Sequence, residues 1–347
     1  MKLRFVVAAG VINVLLGTAG SVQSAESSGS VYGKVYADWY YNATDDDAIT
    51  KKSEVELTRV YLGYKYTIDE HFSTDALLDV ERADPAKTAT FDTSKKTVTL
   101  TTDDRYFAFL KLACLTWKDI VPHTALTVGQ LGYFAFNVQE GFWGKRYLYK
   151  SFMDQQGWEP SADMGATVTI TPNDMVKIVA GGVNGDGYKA SQDSYGDYKT
   201  ALGLQVNPIS DLTLYVYGDW MPVGSTTDNA QTTAAAFAGY KFQDLFKLGV
   251  EYDVQMKQKG VVDHNVNGLS VYGMCTIIKP LEVFARYDLA ASKDDFNASK
   301  DGQTVIGGLQ YSPVSKVKFA ADLQHFIPKP DGMKASDKVY LNCEFDY

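Results

Sequence analysis

Cysteine, proline, histidine and long apolar runs are all scarce in this chain, and each shortage narrows the possibilities. Three cysteines in 347 residues, Cys114, Cys275 and Cys343, cannot build a disulfide framework. All three fall on the apolar side of an alternating pattern, where they read as small apolar residues. Four histidines, His71, His123, His264 and His325, lack a partner at metal-ligand spacing, so neither a metal nor any other cofactor is expected. Neither G-x-S-x-G nor H-E-x-x-H occurs, and no enzymatic role is expected. Beyond the first 20 residues no window approaches the ~20 apolar residues with which a helix crosses a bilayer. Any membrane span must then be built from strands. Positive charge is short too: the net charge of -9 becomes two units more negative once Lys2 and Arg4 are removed with a signal, which argues against a nucleic-acid partner.

What the chain does contain favours β structure. It has 23 Tyr, 17 Phe and 29 Gly, and aromatic residues favour strands and interfacial belts. At the start, Lys2 and Arg4 precede the apolar run 5–16, with small residues Ala19, Ser21, Ser24 and Ala25 after it. Residues 1–25 read as a secretory signal and 26–347 as a single domain.

From Val31 onward the period is two. Val31, Val35, Trp39 and Tyr41 face one way, and Tyr32, Lys34, Tyr36 and Asp38 face the other. Val60, Leu62 and Tyr64 oppose Arg59, Tyr61 and Lys65; Ala76, Leu78 and Val80 oppose Asp75 and Asp79; Tyr106, Ala108, Leu110 and Leu112 oppose Arg105, Phe107, Phe109 and Lys111. Continued to the terminal aromatic Tyr347, the pattern gives about sixteen strands, long enough to cross a membrane when tilted. Long polar connections, among them 83–104, 132–161 and 222–231, alternate with short turns bearing Pro, Asn and Asp, as in an up-and-down sheet with one decorated end. Sixteen strands enclose too wide a space for side chains to fill, so the polar stripe should line water and the apolar stripe face lipid. The charged lining is then Lys34, Asp38, Arg59, Lys65, Asp75, Asp79, Arg105, Lys111, Lys241, Lys247, Glu251, Asp253, Glu282, Arg286, Lys318 and Asp322.

One connection stands apart. Between the runs 126–130 and 162–170 lies an aromatic, Gly-punctuated segment far longer than an ordinary strand connection. It mixes Phe142, Trp143, Tyr147, Tyr149, Phe152 and Trp158 with Glu140, Lys145, Arg146, Lys150, Asp154 and Glu159. That composition is too apolar for a solvated loop and too charged for a core helix; it suits a loop folded into the lumen of a wet barrel, its charges forming the constriction. A lid over a soluble β domain is the plainer reading of the segment taken alone.

The stretches Arg59-Val60-Tyr61-Leu62-Gly63-Tyr64-Lys65, Leu126-Thr127-Val128-Gly129-Gln130 and Ser161-Ala162-Asp163-Met164-Gly165 resemble the phosphate-selective porin O and P family of sixteen-strand outer-membrane porins. The resemblance implies a bacterial outer-membrane homotrimer whose third loop forms the constriction, a diffusion channel for small hydrophilic solutes and ions, with anion or phosphate preference. Lys145, Arg146 and Lys150 match the basic loop expected of such a family, while the acids of the lining depart from its pattern and leave phosphate preference open. Lipid and lipopolysaccharide are the implied surroundings. The acidic runs 45–47 and 294–295 and Asn184-Gly185-Asp186-Gly187 read as solvated loop charge, with divalent cations bridging to lipopolysaccharide as the other possibility. Two alternatives are an outer-membrane barrel enzyme, which would bring a catalytic dyad together at one rim, and a structural sheath around an electron-transfer partner.

Overall fold

The computed structural model describes residues 27–44, 51–82, 88–92, 96–101, 105–224 and 226–347. The signal reading over 1–25 and the acidic run 45–47 lie outside the described residues. Eighteen strands follow one another: β1 (Ser28–Asn42), β2 (Ser53–Thr67), β3 (Phe72–Arg82), β4 (Thr88–Asp92), β5 (Thr97–Thr101), β6 (Tyr106–Lys118), β7 (Thr124–Gly132), β8 (Ala162–Asn173) and β9 (Val176–Val183). The second half holds β10 (Lys199–Ile209), β11 (Leu212–Val223), β12 (Thr226–Phe242), β13 (Phe246–Met256), β14 (Val266–Ile278), β15 (Leu281–Ser292), β16 (Gly302–Val314), β17 (Val317–Pro328) and β18 (Ser336–Asp346). Sixteen of them close into an antiparallel barrel in chain order, β3 pairing with β6 and β18 returning to β1. β4 and β5 pair only with each other, as a hairpin within the connection after β3. No helix among the described residues is long and apolar enough to cross a membrane.

Alternation along the barrel strands separates two unlike faces. On β13, Leu248, Val250, Tyr252 and Met256 are exposed, whereas Glu251, Asp253 and Gln255 are buried. On β17, Phe319 and Leu323 are about half exposed while Asp322 is only 4% exposed. Neighbouring strands keep this register, so that Glu251 lies opposite Ser270 and Ser270 opposite Asp288. A water-soluble barrel has the opposite arrangement, because an exposed apolar surface of this extent is unfavourable in water. Aromatic side chains crowd the exposed face near the short turns: Phe72 stacks on Trp117 at 5.3 Å and Phe242 on Phe246 at 5.3 Å.

Two sequence expectations are corrected. Residues 222–231 are not a long connection: β11 continues to Val223, β12 begins at Thr226, and Gly224 turns the chain at φ 67°. The connection 83–104 is long, as its sequence indicates, and carries the β4–β5 hairpin. Leu112 and Cys114 do not share a face with Leu110. Leu78 pairs with Leu110 and Leu77 with Leu112, leaving Lys111 as an extra residue; such a bulge shifts the two-residue period by one. Beyond it Cys114 lies opposite Asp75 and packs against the buried aromatic cluster.

Candidate functional site

The segment 133–161 between β7 and β8 carries two short helices, α1 (Asn137–Trp143) and α2 (Phe152–Gln156), each ended by a glycine in the left-handed conformation, Gly144 and Gly157. A side chain there would add strain, which glycine avoids. Aromatic rings fix the segment to the buried face of the wall. Tyr133 shares a hydroxyl hydrogen bond of 2.6 Å with Tyr217, Phe142 meets Phe237 edge-on at 5.4 Å, and Trp143 lies 5.0 Å from Tyr272. The wall also caps the segment's backbone: Arg286 donates to the Lys150 carbonyl at 2.8 Å, Gln255 to the Trp158 carbonyl at 2.9 Å, and Glu251 accepts the Phe152 N–H at 3.2 Å.

The six charged residues read from the sequence divide into two groups. Lys145 is only 3% exposed, paired with Glu282 and donating to Gln310 at 2.8 Å. Glu159 is equally buried, joined to Lys199 and accepting from the Thr233 hydroxyl at 2.7 Å. These two are anchors, because ring packing closes the segment over them. Arg146 instead bridges Glu140 and Asp154, with the Lys150 ammonium 3.8 Å from Asp154. Burial alone would raise the Asp154 carboxyl, but Arg146 and Lys150 outweigh it and hold it below the usual aspartate value. Burial pushes the Lys150 ammonium down, with Arg146 and Arg59 adding to the effect against the opposing pull of Asp154.

Among the barrel charges, Asp79, Glu251, Asp253, Arg286 and Asp322 are buried rather than open. Packing of the segment and of neighbouring side chains covers them. Arg59 pairs with Asp79 at 2.8 Å and with Glu81; Lys111 is 3.8 Å from Asp79. A second loop reaches this cluster: the Tyr188 hydroxyl donates to Asp79 at 2.6 Å and Lys189 pairs with Glu81. Lys34 lies 3.3 Å from Asp346, Lys65 3.7 Å from Asp75, and Lys318 pairs with Glu344. Lys241 and Lys247 face each other across β12 and β13, Lys241 over the Phe142 ring at 5.3 Å, and Arg105 lies over the Phe107 ring at 6.0 Å. Lys199, Glu159 and Asp219 form a buried ionic cluster whose strand members went unread, since its three residues are far apart in sequence.

Between the segment and the wall built from β1, β2, β17 and β18 an open cavity of about 610 Å³ remains. Its charged lining holds five bases, Arg59, Arg146, Lys150, Lys300 and Lys338, and two acids, Asp38 and Glu56. Tyr36, Tyr40, Tyr147, Tyr149 and Tyr340 supply much of the rest.

No family model and no curated protein matches the sequence. Solved structures do match the fold. OmpF of Salmonella typhi, in complex with daunomycin, is 10% identical with a TM-score of 0.65, covering 92% of this chain and 97% of that one. An anion-selective porin from Comamonas acidovorans is 13% identical with a TM-score of 0.62, over 93% of this chain and 100% of its own. The outer membrane channel DcaP of Acinetobacter baumannii is 13% identical with a TM-score of 0.60, over 95% and 100%. At these identities the likeness establishes a shared architecture: this chain has the fold of the sixteen-strand outer-membrane porins.

Proposed function

We propose that the protein is a porin of a bacterial outer membrane, a water-filled channel through which small hydrophilic solutes and ions diffuse. Residues 1–25 are its export signal, 26–347 its single domain, and three copies assemble in contact with lipid and lipopolysaccharide. The observation that carries this reading is the inverted pair of faces on a closed barrel, apolar where exposed and charged where buried, since hydrocarbon is the solvent in which that arrangement is stable. The segment 133–161 folds into the lumen as the constriction. Supporting this, it reaches buried-face side chains on nine strands, from Tyr36 on β1 and Lys199 on β10 through to Gln324 on β17, which a segment outside the cylinder cannot do. The cavity beside it is the passage, and its excess of bases supports a preference for anions.

Reconstituted into a planar bilayer, the protein should raise conductance in discrete steps; a bilayer that stays silent over a wide range of protein concentrations would sink the reading. Reversing one charge at the passage, Lys150→Glu, is expected to lower the chloride-to-potassium permeability ratio by about fivefold, as a change of ~1 kcal/mol in local potential would do. An unchanged reversal potential in a salt gradient would remove Lys150 from the selectivity mechanism.

The state of Lys150 gives a pH dependence of definite sign. A depressed ammonium keeps its charge below its lowered value and loses it as pH rises through that value. Anion preference should therefore decline on the alkaline side earlier than an exposed lysine would allow, and Lys150→Arg should abolish the decline. Reversal potentials measured from neutral pH upward distinguish these outcomes.

A further inference from the structure

The cavity lining carries an acid pair near one level and Arg59, Arg146 and Lys150 near another, with Lys338 beside the acids. Asp38 and Glu56 face each other across β1 and β2. Both line the cavity, and neither makes a salt bridge among the described residues. One oxygen of Asp38 is buried with no hydrogen-bond partner. Beside this pair the Tyr40 and Tyr340 rings lie 5.9 Å apart, and the Lys338 ammonium stands 5.6 Å from the centre of the Tyr40 ring, so the place already receives one ammonium group. An acid pair flanked by tyrosines is a setting for an ammonium group, which gains from both carboxylate and ring.

Farther along β1, Tyr36 lies opposite Arg59, on the side where Arg146 and Lys150 also line the cavity. Arg59 is engaged by Asp79 and Glu81, and Arg146 by Glu140 and Asp154. The Lys150 ammonium is less committed: at 3.8 Å its distance to Asp154 exceeds hydrogen-bond reach, and its side chain is 40% exposed. Two residues of extended strand separate the acid level from the Arg59 level, about 7 Å. A chloride ion would satisfy only the bases, and a small cation only the acids. A single α-amino acid is too short to reach both, and one further residue adds about 3.5 Å.

We propose that this cavity is a binding site for a zwitterion of dipeptide length, its ammonium held by Asp38 and Glu56 and its carboxylate by Lys150. The inference rests on the channel reading and names a solute class for it. Tyr40 and Tyr340 flank the ammonium end, and free passage remains because Asp38, Glu56 and Lys150 are only partly buried on the wall of an open cavity.

The test is competition for the chloride current of the full-length protein in a planar bilayer, with glycylglycine as probe. Acetyl-glycylglycine lacks the ammonium and glycylglycinamide lacks the carboxylate. Glycylglycine should half-block the current at a concentration about tenfold below either derivative, the scale of one charge-assisted hydrogen bond. The double variant Asp38→Asn/Glu56→Gln should erase the difference between glycylglycine and its acetylated form, and Lys150→Gln the difference between glycylglycine and its amide. Equal potency of the three compounds on the unaltered protein overturns the proposal, as does full discrimination surviving in either variant. Conductance steps without discrimination defeat this inference alone, whereas absence of steps in plain salt defeats the channel reading and this inference with it.

Discussion

Replacing Arg286 with alanine is expected to destabilise the barrel by about 3–5 kcal/mol, the cost of breaking a buried ion pair from one side. The guanidinium makes two parallel hydrogen bonds of 2.8 Å to Asp288 and a third, also 2.8 Å, to the Lys150 carbonyl. It also lies 5.2 Å from the centres of both the Trp143 and Tyr149 rings. Without it, Asp288, Glu251 and Asp253 remain at 2% exposure or less with no cation among them, and the segment 133–161 loses the donor that holds its middle. Two measurements follow: the midpoint of denaturant unfolding of the refolded protein should fall, and single-channel current should become larger and noisier as the segment loosens. Arg286→Lys keeps a charge but not the fork, so it should recover only part of the stability. An alanine variant matching the parent in both measurements would show that the segment is held by its rings alone.

Gly239→Leu should act on the same segment from its other end. A Cβ at Gly239 would stand 2.6 Å from Cε2 of Phe142 and 2.7 Å from Cζ of Phe237, and Gly268 is as tightly filled by the Phe152 ring, 2.0 Å from where its Cβ would be. The wall thus offers sockets and the segment supplies the rings. Bulk at residue 239 forces Phe142 out and lifts α1, an overpacking cost of roughly 1–3 kcal/mol, and conductance should rise about twofold or more. Returning the space with Phe142→Ala/Gly239→Leu puts the volume back on the opposite partner. The double variant should recover much of the parental conductance, and a double variant as open as Gly239→Leu would argue that the socket does not position α1.

Most of the barrel was legible because its period is two and its chemistry alternates cleanly. Glu251 and Asp253 against Val250 and Tyr252 needs no tertiary information. Reading failed where the period was interrupted or the polarity misled. The bulge at Lys111 leaves no mark in composition, so Leu112 and Cys114 were assigned the wrong face. The Thr- and Asn-bearing stretch around 226–231 has the polarity of a loop, but it is strand, its pairing with β11 resuming at Val223 opposite Thr226 after a break in register beyond Met221 opposite Gln231. In the segment 133–161, charge alone could not tell anchors from open groups. Lys145 and Arg146 are adjacent in sequence, and only the positions of Glu282, Gln310, Glu140 and Asp154, scattered over 170 residues, decide that one is sealed against the wall while the other borders the cavity.

The seam between β1 and β18 has a consequence for how the molecule can form. It joins the first and last strands from Lys34 opposite Asp346 to Asn42 opposite Lys338, and the Tyr347 hydroxyl donates to the Tyr61 carbonyl at 2.9 Å. Contacts so distant along the chain impose a large loop-closure entropy and belong to slow-folding topologies. Until β18 is in place, both β1 and β17 present unpaired backbone donors and acceptors, the kind of edge on which other chains aggregate. A nascent or shortened polypeptide is therefore vulnerable at two borders at once, and the cylinder becomes safe only when its last strand closes the ring.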